Sequence, residues 1–377
     1  MKTTIKKLMP ILLCVLFADC KQANNDNCNN SFELVETIDI PDEIETQPNN
    51  FIDKIEYIPL IGSDAHIMPE VTKVRFENNR FYLCSKKSQS INVFNNDGTF
   101  SFCISKRGKG NGEYLEIANF TVDENNIYII DNFAHKIHLY DAFSGRFICD
   151  REIPFICSDM EYLCENRFLF TFLLTGPDDN ISIEQKHGAV WETDSTFQNV
   201  TSEYLPYEDG YYEIIGQNTY FNKNEKGICF HSCQNNGFMM FEKDKKLPQF
   251  YQLNFTYPIP TGEGITYREA IEQGYTILSG TPHMTDKFVF LEIASNEIGE
   301  TAVIKRASSK VYTNDHKDCS SLILQIIYSH DNYAISYLSD NFVYEDLVKN
   351  DFQKAPEDVE TLLKNGGACL LKYTFNE

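Results

Sequence analysis

The 377-residue chain has a single tryptophan, a deficit of basic residues and few long apolar runs. Lys and Arg number 33 against 55 Asp and Glu, a net charge of -22. That balance excludes the basic face that nucleic acids require, and it disfavours docking on anionic lipid. After the first twenty residues no segment approaches the ~18 apolar residues of a membrane-spanning helix. The twelve cysteines show no repeated C-x-x-C spacing, so no zinc framework is written in them. Nucleophile elbows of the G-x-S-x-G type are missing. Gly108-x-Gly110-x-Gly112 matches neither a phosphate loop, which ends in G-K-[ST], nor the G-x-G-x-x-G of dinucleotide folds. Helical periodicity is scarce between Phe32 and Phe352.

What the N-terminus does carry reads as a processing signal. Lys2, Lys6 and Lys7 precede an apolar stretch from Leu8 to Ala18, too short to span a bilayer of ~30 Å. The stretch ends at Asp19-Cys20 and turns abruptly polar. A cysteine at such a junction resembles a bacterial lipobox, although Asp19 stands where a small residue is usual. Residues 1–19 are therefore expected to be a lipoprotein-type signal peptide and Cys20 the lipidated residue. Residues 20–50 then form a polar tether and N-terminal segment. Phe102-Cys103-Ile104 and Phe147-Ile148-Cys149 set cysteines inside apolar runs, where a thiol serves as a small hydrophobe, so the thiols are expected to be mostly reduced.

From about residue 51 the chain repeats. Short β-branched or aromatic runs alternate with Asn, Asp and Gly. Asn79–Cys84, Ser90–Phe94 and a turn through Gly98 match Asn125–Asp131, Lys136–Tyr140 and a turn through Gly145. Tyr82 and Tyr128, Ile91 and Ile137, and Phe94 and Tyr140 all lie 46 apart. A period of 40–50 residues carrying about four strands is that of a propeller blade. Weaker units follow at Arg167–Phe172 with Ala189–Trp191, Gly227–Phe230 with Gly237–Phe241, Lys287–Glu292 with Thr301–Lys305, and Asn332–Tyr337 with Ala368–Phe375. Residues 51–377 are thus expected to be all-β, a six-bladed propeller with one short C-terminal helix over Pro356–Asn365. A ring must close, and Lys54–Leu60 is expected to pair with Cys369–Phe375, removing the sheet edges that template aggregation.

The stretch Asn92 to Phe155 carries a more specific pattern. Asn95-Asn96-Asp97-Gly98-Thr99-Phe100 leads into Lys106-Arg107-Gly108-Lys109-Gly110-Asn111-Gly112-Glu113-Tyr114, then Phe120-Thr121-Val122-Asp123 and Ile127-Tyr128-Ile129-Ile130-Asp131. This resembles the six-bladed propeller lipoproteins of gut Bacteroides, whose first blades read G-x-G-P-G-E-Y before such strands. It is more distantly similar to NHL-repeat propellers. Asn111 replaces the usual Pro. The resemblance implies an envelope-anchored propeller, outer-membrane and facing the surface or the periplasm, with no assigned activity and no catalytic residues to carry over.

Gly108, Gly110, Gly112, Glu113 and Tyr114 read as a structural inter-blade loop with Tyr114 packed between blades. Arg107, Glu113 and Tyr114 are the alternative ligand contacts at the ring surface. His135-x-x-His138 and His231-x-Cys233 are weak clusters, and residues i and i+3 of a strand face opposite sides. Asp97, Asp123, Asp131 and Asp141 recur at turns, where Asx hydrogen bonding explains them. No motif requires a cofactor. The functional expectation is a binding module holding a glycan, peptide or outer-membrane protein partner. The competing reading is a propeller-scaffold lyase or hydrolase with a polar or metal site at the pore.

Overall fold

The computed structural model describes residues 32–41, 44–46, 48, 51–62, 70–173, 188–205, 216–232, 236–260, 265–295, 298–314 and 319–376. Cys20, Cys28 and Cys233, like the signal segment, lie outside them. Three strands open the chain: β1 (Glu33–Ile40), β2 (Glu45–Thr46) and β3 (Ile52–Pro59). Blade 1 follows as β4 (Lys73–Glu77), β5 (Arg80–Ser85), β6 (Ser90–Asn95) and β7 (Phe100–Ile104). Blade 2 is β8 (Asn119–Val122), β9 (Asn126–Asp131), β10 (Lys136–Asp141) and β11 (Phe147–Glu152). Blade 3 is β12 (Asp159–Cys164), β13 (Arg167–Thr171), β14 (Val190–Thr193) and β15 (Val200–Tyr204). Blade 4 runs β16 (Phe221–Lys223), β17 (Gly227–Phe230), β18 (Gly237–Glu242) and β19 (Gln249–Phe255). Helix α1 (Tyr267–Glu272) leads to blade 5, with β20 (Ile277–Leu278), β21 (His283–Met284), β22 (Phe288–Ser295), β23 (Ile298–Lys305) and β24 (Lys310–Thr313). Blade 6 contributes β25 (Ile326–His330) and β26 (Tyr333–Leu338), then α2 (Asn341–Lys349), α3 (Glu357–Lys364) and β27 (Cys369–Phe375).

Six sheets result, each antiparallel within its own blade. The ring closes through β3, which pairs antiparallel with β27 from Pro59↔Cys369 to Ile52↔Phe375. The N-terminal segment also reaches two earlier blades. β1 lies parallel on β19, making blade 4 five-stranded, and β2 lies parallel on β24 of blade 5. One stretch of chain therefore borders blades 4, 5 and 6 in succession. Blade 5 has a second irregularity. Its inner strand is split, because β20 pairs with Ala294 and Ile293 of β22 while β21 pairs with Phe290 and Val289.

Apolar side chains of adjacent blades fill the spaces between sheets. Tyr82, Ile91, Val93, Tyr114, Phe120 and Tyr140 form one such layer between blades 1 and 2. The hairpin glycines adopt the left-handed backbone that their turns need, φ 84° at Gly98 and 66° at Gly145. The expected helix is present as α3, with Val359 and Leu363 buried, but two more accompany it. α2 carries no clear apolar stripe, because only Tyr344 and Leu347 of its nine residues are buried, while Phe342 and Val343 point to solvent. α1 is only six residues long, yet its capping box, Thr266 with Glu269, was a legible start signal.

Candidate functional site

The Gly108–Tyr114 loop is closed on itself. Gly110 N–H donates to Glu113 Oε2 at 2.7 Å, and that carboxylate occupies the space a Cβ on Gly108 would need. Gly108 N–H bonds the Tyr114 carbonyl at 2.9 Å and Tyr114 N–H the Lys106 carbonyl at 3.1 Å. The Tyr114 ring is fully buried, its hydroxyl donating to the Gln89 carbonyl at 2.7 Å and accepting from Lys106 N–H at 3.0 Å. Burial leaves that ring no free face, whereas Arg107 and Glu113 remain exposed at the loop rim. Arg107 Nε is held by the Leu115 carbonyl at 3.2 Å.

The described histidines of the two clusters each have their own partners, and Cys233 of the second lies outside the described residues. His138 is buried between Asp150, at 2.7 Å from Nδ1, and Asp131, at 3.4 Å from Nε2, while His135 sits in the preceding turn at φ 52°. His231 lies between blades 4 and 5, its ring nitrogens at 2.8 Å from the Gly237 carbonyl and 3.0 Å from that of Leu278. Asp97, Asp123 and Asp141 accept from nearby N–H and hydroxyl groups, the bonding of Asx turns. Among the described residues no three His, Cys, Asp or Glu side chains gather as a metal would need. The eight described cysteines are free of disulfides, and five of them are buried.

Sequence reasoning missed the ring axis. Along β4 and β12, charged residues alternate with apolar ones, as Lys73, Arg75, Glu77 and as Asp159, Glu161. Period-two alternation normally marks a solvated face, but here that face looks inward across the pore. Lys73 Nζ sits 2.6 Å from Asp159 Oδ1, 3.0 Å from the Met160 carbonyl and 3.5 Å from Glu161 Oε2. Arg75 grips Glu161 through both Nε and Nη2, and Thr121 donates its hydroxyl to the other oxygen of that carboxylate. Asp159 Oδ2 accepts from Tyr220 N–H at 2.8 Å and from the Thr219 hydroxyl at 2.9 Å. Burial pushes the Glu161 carboxyl up, but Arg75 and Lys73 outweigh it and hold the group below its ordinary range. Two cations and two carboxylates thus cancel in the middle of the pore.

This network separates two axial cavities that share Arg75. The one at the N-terminal ends of the inner strands has a volume of about 270 Å³. Its floor is Lys73, Val74 and Arg75, all buried, and its rim carries exposed Gly216, Asn218 and Gln325. Between them the wall presents Thr72, Gln217, Thr219, Asn222, Ser279 and Thr281, all uncharged and polar. The cavity at the other end, about 230 Å³, is lined by Glu77, Lys223, Glu225 and Lys243. A larger trough of about 590 Å³ runs along the outer rim where the β1–β2 segment crosses from blade 4 to blade 5, far from the convergent polar groups of the axis.

The split in blade 5 shapes the first cavity. Between β20 and β21 the chain bulges through Ser279-Gly280-Thr281-Pro282. Asn222 Nδ2 donates to the Thr281 carbonyl at 2.5 Å, and the Gln217 side-chain oxygen accepts from Thr281 N–H at 3.1 Å. Blade 4 thereby holds the bulge open, and Glu292 of the second strand, β22, reaches the cavity through the gap. Its carboxylate lies so close over Gly280 that a Cβ there would come within 2.6 Å of Oε2. Burial raises the Glu292 carboxyl above its ordinary range, opposed only by a hydrogen bond from Gln325.

Residues 35–365 match the family described as a domain of unknown function, DUF4934. The chain belongs to that family. Among solved structures it is similar to a Bacteroides fragilis protein described as exported, with a TM-score of 0.70 and 18% identity over 90% of this chain and 100% of that one. It is also similar to a DUF4221 member from Bacteroides vulgatus, TM-score 0.49 and 11% identity, covering 87% of this chain and 99% of that one. No curated protein matches. The first likeness agrees with the propeller fold and with the resemblance to Bacteroides propellers seen in the sequence.

Proposed function

We propose that this DUF4934 protein is an exported, envelope-anchored binding module whose ligand enters the axial cavity lined by Thr72, Asn218, Asn222 and Thr281. The observation that carries the reading is that cavity itself, an open polar recess whose floor is a neutral ionic network. Ligand sites are concave and fix their occupants with a few placed polar groups. Lys73, Arg75, Asp159 and Glu161 already satisfy one another, so the floor supports the site and the uncharged wall is left to recognise a ligand. A catalytic reading needs convergent acid and base groups; in this cavity Glu292 is the one carboxylate without an ionic partner among the described residues.

Chain direction fits an anchor at Cys20. β16 starts beside the cavity, β19 is antiparallel to it after three reversals, and β1 runs parallel to β19. The N-terminal segment therefore joins the ring at the face opposite the cavity. Residues 21–32 would span at most about 40 Å when extended, leaving the mouth turned away from the membrane. The similarity to an exported Bacteroides protein supports the same address.

The test is a screen of glycans and short peptides by thermal shift, repeated with Asn218→Trp, which fills the mouth from an exposed rim position. Ligands of the wild type should lose at least tenfold in affinity. A ligand that binds both proteins equally would move the site elsewhere. For the anchor, Cys20→Ala should release the protein from the membrane fraction. A wild-type protein already soluble, with an unmodified N-terminus by intact mass, would remove the anchor.

A further inference from the structure

We infer that the axial cavity takes a small hydroxylated primary amine, of the amino-sugar class, with Glu292 as the counter-ion of its ammonium group. This rests on the axial cavity being the ligand site, and it adds what the ligand must carry.

Three charged side chains reach the cavity, those of Lys73, Arg75 and Glu292. The two cations are already engaged by Asp159 and Glu161 at the floor. Glu292 has no ion-pair partner among the described residues, and the one side-chain hydrogen bond that opposes the effect of burial on its carboxyl there comes from the amide of Gln325. Removing a carboxylate from water without a partner is costly, so such a group is either kept protonated or paired with a cation. Its position is also built. The inner strand is broken where Glu292 would otherwise be covered, the bulge is held by Asn222 and Gln217, and Gly280 leaves room for the carboxylate. A broken strand forfeits ladder hydrogen bonds, and here the break gives a second-strand acid access to the axis.

The remaining wall sets the rest of the ligand. The hydroxyls of Thr72, Thr219 and Ser279 already donate to the Cys84 carbonyl, Asp159 and the Glu292 carbonyl, so they offer acceptors to ligand hydroxyls, and the Gln217 and Asn222 amides add donors. The Gln217 amide nitrogen is buried without a partner among the described residues, so a ligand oxygen would satisfy it. At about 270 Å³ the cavity lies just below the range of drug-sized sites, which suits one sugar ring rather than a chain. The net charge of -22 would steer cations toward the molecule.

The experiment compares glucosamine, glucose and N-acetylglucosamine by calorimetry on the full-length protein at neutral pH, with Glu292→Gln alongside. Glucosamine should bind at least tenfold more tightly than the other two, and Glu292→Gln should bring it down to their level while melting no lower than the wild type. Equal binding of the three sugars to the wild type would overturn the ammonium assignment. If Asn218→Trp then abolished that binding, the cavity would stand as the site. Absence of glucosamine binding at millimolar concentration, or binding unchanged in Glu292→Gln, would also overturn it. The wild-type comparison decides the matter even if the variant does not fold.

Discussion

Three glycines with left-handed backbones separate the cost of a turn from the cost of ring closure. Gly366, just after α3, has φ 78° and nothing within 4 Å of an added Cβ, so Gly366→Ala isolates the backbone preference. That preference is about 1–2 kcal/mol. At Gly145, φ 66°, the Cβ would come within 2.6 Å of the Phe102 ring, a side chain able to move, and the loss should rise to about 2–3 kcal/mol. At Gly98, φ 84°, the Cβ would lie 2.0 Å from the Pro59 carbonyl, at the end of closing strand β3. The backbone there must separate. It would strain the bonds from Ile61 N–H to the Gly98 carbonyl and from Phe100 N–H to the Ile61 carbonyl, both 2.9 Å, each worth about 1 kcal/mol. Gly98→Ala should therefore lose about 3–5 kcal/mol. Urea unfolding midpoints at a common slope rank the three directly. Equal losses, or Gly98→Ala the mildest, would refute the claim that this hairpin is wedged against the closing strand.

Two further expectations concern the buried charges. Glu161→Leu should destabilise by about 3–5 kcal/mol, because Arg75 is left charged and unpaired, and adding Arg75→Met should recover part of that loss. Denaturation showing a single-variant loss under about 1 kcal/mol would mean that water reaches the pair. Burial pushes His283 down to about 3 and His231 to about 4, from an ordinary value near 6.5. Depressed values mean that both contribute stability above pH 6.5, which is lost as pH falls toward 4 and 3, at about 1.4 kcal/mol per pH unit for each histidine. His283→Gln should flatten that slope in melts between pH 6.5 and 4.5, and an unchanged slope would show that His283 is not the titrating group.

The blades were legible because each repeats a local rule. Tyr82 and Tyr128 occupy the same strand position 46 residues apart, and Gly98 and Gly145 mark the same turn. The closing pair was legible too, since six units leave two ends that must meet. The axis was not, because its chemistry joins residues from different blades. Lys73 and Asp159 are 86 residues apart, and nothing near either one in the chain indicates the other. Glu292 was hidden for another reason. Phe288-Val289-Phe290-Leu291-Glu292 reads as an ordinary strand with one polar position, and its access to the pore depends on a break in a neighbouring strand.

The N-terminal segment joins these two levels of organisation. Loop-closure entropy grows only logarithmically with length, so pairing β3 with β27 across more than 300 residues is affordable once the blades between them are folded. Before that pairing, blade 6 has only β25 and β26 from its own region together with β27, and β27 would expose an unpaired edge. β1 and β2 are placed upstream of β3 in sequence and border the two blades that precede blade 6 in space. Their docking on β19 and β24 shortens the chain that must be confined before β3 finds its partner. The same segment borders β24 of blade 5, whose split inner strand admits Glu292 to the cavity. Closure of the ring and support of the blade that carries the proposed site thus rest on one continuous stretch of chain.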